Sequence, residues 1–205
     1  MQAANIPHIP PLVPKRGNAF SHQLWQGILH SHGWHIAGEI PNVPKAMVIA
    51  APHTSNMDGW YCFMAIMSLG INITVMAKDS LFKPPFKAIL NWLNVIPVKR
   101  SSPEGFIDQV VSEYRQRDQI WMAMSPEGTR NSAPKWKSGF YRIAAAANIP
   151  LVIVTIDYGK QQIALKGLFY PTGDYEQDLA AILEYYRGVQ PYNPAQLSLP
   201  LKQLK

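Results

Sequence analysis

At 205 residues, 47% of them hydrophobic, the chain is the size of one ordinary α/β domain and can bury a full core without a covalent staple. Its 19 Lys and Arg against 13 Asp and Glu give a net charge of +6, which favours a polyanionic partner such as lipid headgroups, phosphates or nucleic acid without choosing among them. The single cysteine, Cys62, excludes an internal disulfide framework and a clustered thiolate metal site, as suits a reducing cytosol.

Residues 1–17 are rich in proline and lack a basic region followed by an apolar one, so they read as an extended arm and not as a signal peptide. Phe20, Leu24, Trp25, Ile28 and Leu29 recur at helical spacing and predict an amphipathic helix whose apolar face meets core or membrane. The apolar run 46–51 predicts a buried strand, followed by a helix beginning near Ser55. The uncharged stretch 59–77 is about long enough to span a bilayer. Gly70, Asn72 and Thr74 interrupt it and its period changes midway, so it reads as a helix followed by a strand ending at Lys78. Any membrane contact is then expected at the surface, by a cytoplasmic protein peripheral to the bilayer.

Pro84 and Pro85 open a predicted helix, residues 95–98 form a short strand running into Lys99 and Arg100, and Pro103 starts another helix. Phe106, Ile107, Val110, Val111 and Tyr114 fall on one face of that last helix. Residues 119–124 predict a strand, 138–147 a helix, 151–157 and 162–167 further strands, and 174–187 a helix capped by Asp174. The tail 188–205 is predicted irregular. Strands alternating with helices indicate one domain over 18–187, an α/β sandwich with a largely parallel mixed central sheet flanked by helices, and no internal repeat.

Two segments carry chemistry. In the first, His53 and Asp58 follow a predicted strand, five residues apart. In a continuous helix they would point roughly 140° apart, so a contact requires a break between them. With Ser55 as N-cap, His53 lies in the preceding loop and Asp58 in the first turn, where a carboxylate can fix the imidazole tautomer and leave the other ring nitrogen to take a proton from a hydroxyl. The same Ser55 and Asp58 also suit a capping box that serves only the helix.

The second segment, Pro126-Glu-Gly-Thr-Arg130, again follows an apolar strand. A guanidinium matches phosphate oxygens with its planar fork, and Glu127 is placed to orient a hydroxyl acceptor; an ordinary turn with a surface ion pair is the bland alternative. His53, Lys78, Arg100 and the Glu127–Arg130 loop each follow the end of a predicted strand. In open α/β sheets ligands bind beyond the carboxyl ends of the strands, so these groups converge if the strands are parallel.

His53-x4-Asp58 followed by Pro126-Glu-Gly-Thr-Arg130 resembles the glycerolipid acyltransferase family that includes the 1-acylglycerol-3-phosphate acyltransferases. The likeness extends through Lys78, Val95-Ile-Pro-Val-Lys-Arg100, Trp136-Lys-Ser-Gly139 and Asn148-Ile-Pro150, over roughly residues 46–157. It departs from the family pattern at Pro52, Asn94 and Ser125, which leaves the acceptor open. The resemblance implies a glycerol-3-phosphate acyltransferase-like fold, with His53 as base and Asp58 as its support. It implies a substrate-binding set of Lys78, Arg100, Glu127, Gly128, Thr129, Arg130 and Lys137. It further implies an acyl-CoA or acyl carrier protein donor, a lysophospholipid-like acceptor, and no metal or other cofactor. The positive charge adds an anionic membrane surface as a partner, with residues 20–34 as the segment to rest on lipid or simply cover the sheet.

Cys62 falls in a predicted apolar helix and reads as core. The histidines at 8, 22, 30, 32 and 35 have no matching acidic or cysteine set. Trp60, Met64 and Met67 are core by spacing or line an acyl tunnel. Arg130, Lys135, Trp136 and Lys137 form a basic, aromatic loop, the main basis for a non-catalytic reading as a binder of anionic lipid or nucleic acid. No nucleic acid is expected if the loop serves the site beside His53.

Overall fold

The computed structural model describes residues 7–98 and 103–204, arranged around a mixed seven-stranded sheet. In chain order the elements are α1 (Ala19–Ser31), β1 (His35–Ala37), β2 (Lys45–Ala51), α2 (Asn56–Leu69), β3 (Ile73–Lys78), a 3-10 turn (Asp79–Leu81), α3 (Phe86–Trp92) and β4 (Val95–Val98). They continue as α4 (Pro103–Gln116), β5 (Ile120–Met124), α5 (Gly139–Ala147), β6 (Leu151–Asp157), β7 (Gln162–Phe169), α6 (Tyr175–Glu184), a 3-10 turn (Pro194–Gln196) and α7 (Leu199–Lys202). The strands lie in the order β1-β7-β6-β2-β5-β3-β4. Five of them, β6, β2, β5, β3 and β4, are parallel neighbours, while β7 runs antiparallel to β6 and β1 pairs parallel with β7 at the edge. The fold is therefore the α/β sandwich that the alternation of elements predicts.

The strand period of two sorts β2 between two cores. Met47, Ile49 and Ala51 face one cluster, shared with α4, α5 and α6, and Ala46 and Val48 face the other, shared with α1 and α2. On α4 the predicted stripe holds: Ile107, Val110, Val111 and Tyr114 are buried against the first cluster. Each such side chain contributes about 1.5–3 kcal/mol by leaving water.

Several elements differ from expectation. The edge strand β1 had no sequence signal at three residues long. Helix α1 packs chiefly on α2 and joins the core cluster beneath the sheet through Leu29, its one buried residue, with Trp25 and Ile28 partly covered and Phe20 and Leu24 left exposed. Met64 and Met67 are buried. The arm is docked in part: Val13 is buried, Lys15 bridges to Ile71, and the Arg16 N–H donates to the Gly70 carbonyl. The tail from Gly188 is not wholly irregular. It forms the second 3-10 turn and α7, buries Ser198 and Leu201, and packs against the loop after β5. Among the described residues no helix is long and apolar enough to cross a membrane.

Candidate active site

The carboxyl ends of the parallel strands meet at one edge of the sheet, and His53 stands there in the loop between β2 and α2. Ser55 caps α2: its extended backbone leaves the helix, and its hydroxyl accepts from the Met57 N–H at 3.1 Å. Asp58, in the first turn, has a fully buried side chain. Its Oδ2 accepts from the Thr54 and Ser55 N–H groups at 2.6 and 2.7 Å and lies 3.4 Å from His53 Nδ1. Capping and support of the imidazole, which look like rivals in the sequence, are thus performed by one carboxylate. The imidazole contact is longer than the usual bond of about 3 Å, and such contacts commonly tighten when substrate binds.

Burial opposes ionisation of Asp58. The bonds from His53, Tyr158, Ser55 and Thr54 together outweigh it and hold its pKa below the ordinary carboxylate value. The Tyr158 hydroxyl donates to Asp58 Oδ1 at 2.8 Å from the first residue beyond β6, so both carboxylate oxygens are engaged. Tyr158 stands edge-on to Trp34, Tyr61 and Tyr192, which restrict its ring. Sequence reasoning missed it: one hundred residues separate it from Asp58, and its only signal is a position just past a strand end.

Glu127 lies elsewhere than its expected place on the substrate wall. It is 2% exposed, and its Oε2 accepts the backbone N–H of His53. Burial raises its pKa, against lowering by the His53 N–H, the Ser198 hydroxyl and the His53 ring, while Oε1 has no hydrogen-bond partner among the described residues. The side chain therefore ties the loop after β5 to the loop that carries the imidazole.

The rest of the second motif faces the cleft. Gly128 adopts φ +65°, which favours glycine, and a Cβ there would sit 2.7 Å from the Lys137 side chain and displace it. Thr129 and Arg130 border the cleft with Lys137, and Arg130 and Lys137 are exposed. Lys78 ends β3, its side chain lying outside the described atoms, and Arg100 lies outside the described residues. Asn94, standing where the resembled family has glycine, keeps a glycine-like φ of 58° and donates to Asn72 and Thr74.

The cleft measures about 820 Å³ and joins two kinds of wall. His53, Thr129, Arg130 and Lys137 line one part; Val75, Met76, Phe106 and Met124 line the other. Such a site can place a phosphate near the cations, an acyl chain against the apolar wall, and a hydroxyl beside the imidazole. Its apolar lining comes from β3, α4, β5 and α5, not from Met64 or Met67 of α2. Trp136 is buried beneath the basic loop, donating to Ser198 at 3.1 Å, so it is not available to stack on a nucleobase. Cys62 is half-buried against the second core cluster, with burial first and the Asp58 charge second pushing its thiol up to about 12.

The sequence model of the acyltransferase family matches residues 36–157, more than half of the chain. The chain belongs to the acyltransferase family. The crystal structure of the 1-acyl-sn-glycerophosphate (LPA) acyltransferase PlsC from Thermotoga maritima is similar to this acyltransferase, with a TM-score of 0.56 at 19% identity over 81% of this chain and 75% of that one. At that identity the likeness speaks for the fold, and it agrees with the mixed sheet described above. No curated protein matches this acyltransferase by sequence.

Proposed function

We propose that this acyltransferase moves a fatty acyl group from acyl-CoA or acyl carrier protein to the hydroxyl of a lysophospholipid such as 1-acylglycerol-3-phosphate, working peripherally at a membrane surface. The observation that carries the reading is His53, held by a buried, doubly anchored Asp58 at a cleft that also presents Arg130 and Lys137. The cations receive the acceptor's phosphate and bring its hydroxyl to His53. With Nδ1 turned to Asp58, Nε2 is the ring nitrogen left to take the hydroxyl proton. The acceptor oxygen then attacks the thioester carbonyl, a C–O bond forms as the C–S bond breaks, and the thiolate leaves with the proton that His53 returns. No side-chain nucleophile takes part, in keeping with the raised pKa of Cys62.

Purified protein given an acyl thioester releases thiol, and release depends on added lysophospholipid. Thiol release equally fast without any lysolipid would make the protein a thioesterase and overturn the proposal.

A further inference from the structure

The segment between β3 and β4 presents a surface that the reaction above leaves unused. Leu81, Phe86, Ile89 and Trp92 are 55, 63, 56 and 62% exposed. Phe86, Ile89 and Trp92 recur every third residue of α3, and at about 100° per residue they occupy a single arc of the helix. Scattered exposed apolar residues are ordinary, whereas a continuous row of large ones marks an interaction surface.

Charge indicates what covers the row. Lys83 and Lys87 are exposed at the Phe86 end of the row, Lys87 lying about 100° round the helix from Phe86 and further round from Ile89 and Trp92. At the far end the Arg16 guanidinium sits 5.2 Å from the Trp92 ring centroid, and its Nη2 donates to the Trp92 carbonyl at 3.2 Å. Asp79 is the one acidic residue between positions 79 and 98. An apolar row with cations at its two ends complements an anionic bilayer, whose acyl boundary takes the ring and aliphatic groups while its headgroup phosphates meet the lysines and arginine. A second copy placed face to face would bring cations to both ends of the shared row, and like charges oppose that association.

The row also has a defined relation to the cleft. Val75 and Met76 of β3 line the apolar wall, and β3 ends at Lys78, directly before the turn that begins this segment. We infer that residues 79–93 form the surface by which the protein docks on an anionic bilayer, setting the apolar wall of the cleft beside the lipid. The purpose of the docking rests on the lipid reading of the site, but its observations are independent of His53. It also moves the lipid contact from α1, which packs on α2, to the β3–β4 connection.

The test uses the full chain and vesicles of phosphatidylcholine with or without phosphatidylglycerol, with bound protein measured by flotation. The wild type binds the anionic vesicles. Ile89→Ser with Trp92→Ser weakens binding about 10-fold or more. Lys83→Ala with Lys87→Ala weakens it about fivefold per cation. Circular dichroism of both variants matches wild type, and both acylate a short-chain lysolipid kept below its micelle concentration at the wild-type rate. Wild-type protein that ignores vesicles, variants that bind like wild type, or light scattering that shows a dimer dispersed by the same changes overturns the inference. Vesicle binding with no acylation of any lysolipid would leave the docking surface standing and remove the proposed reaction. Acylation of the soluble lysolipid without vesicle binding would do the reverse.

Discussion

Replacing Glu127 separates a residue that touches substrate from one that holds the loop carrying His53. Its Oε2 accepts the His53 N–H inside a pocket that leaves it 2% exposed, and a bond to a charged acceptor is worth about 1.5–3 kcal/mol. Glu127→Ala removes that bond and leaves a cavity, so it lowers stability by about 2–4 kcal/mol. It also frees the loop that carries the imidazole, and misplacement of a catalytic group by about 1 Å costs on the order of 100-fold in rate. Glu127→Gln keeps an acceptor for the N–H and removes a buried charge, so kcat falls by about tenfold at most.

The pH dependence has a definite sign. The folded pKa of Glu127 lies above the unfolded one, so wild-type protein loses stability as pH rises from about 4.3 through the folded value. The Gln variant has nothing to ionise there, and its stability relative to wild type improves across that window. Steady-state kinetics with the lysolipid varied, together with denaturant titration at several pH values, read all of these effects. A Gln variant with unchanged kcat and a KM for lysolipid raised tenfold would refute the positioning role, because that pattern belongs to a group that binds substrate in ground and transition state alike.

Tyr158→Phe deletes a 2.8 Å bond to a carboxylate with no exposure of its own; thermal denaturation registers a loss of about 1–3 kcal/mol, and kcat falls about tenfold with KM for the lysolipid unchanged. Gly128→Ala places a methyl group 2.7 Å from Lys137 at φ +65°, so it displaces that lysine and raises KM for phosphorylated acceptors more than for the thioester, as initial-rate kinetics will show. Asp58 titrates below its ordinary value when folded, so it stabilises the protein above about pH 4, and that contribution is lost on acidification through the folded pKa; Asp58→Asn flattens this part of the acid-unfolding curve.

How far the sequence reveals the site depends on whether local pattern or tertiary folding places each residue. Ser55 and Asp58 are a local capping signal, so the helix start and the position of His53 outside it follow from spacing. The convergence of strand ends follows from alternation of strands and helices, which makes β2, β3, β5 and β6 parallel. Side-chain direction beyond a strand end is not periodic, and so Glu127 turns inward to His53 while its neighbours line the cleft. Tyr158 reaches Asp58 only because β6 pairs with β2. Ser198 and Leu201 dock the tail without the sustained period that would have declared it, and Trp136, adjacent to two lysines in sequence, is drawn into the core by Ser198, Phe140 and Tyr186. Helix α2 is apolar nearly all round, which hides the difference between the buried Met64 and the partly exposed Trp60.

The most direct test supplies an acyl thioester and a mixed pool of lysophospholipids to wild-type and His53→Ala proteins and follows the lipids by mass spectrometry. Wild-type protein converts at least one phosphate-bearing lysolipid to its diacyl form, and the His53→Ala protein, folded by circular dichroism, forms it roughly 100-fold more slowly or worse. Equal product from both proteins, or no acylated lysolipid from either, would contradict the assignment of His53 as the base that activates the acceptor.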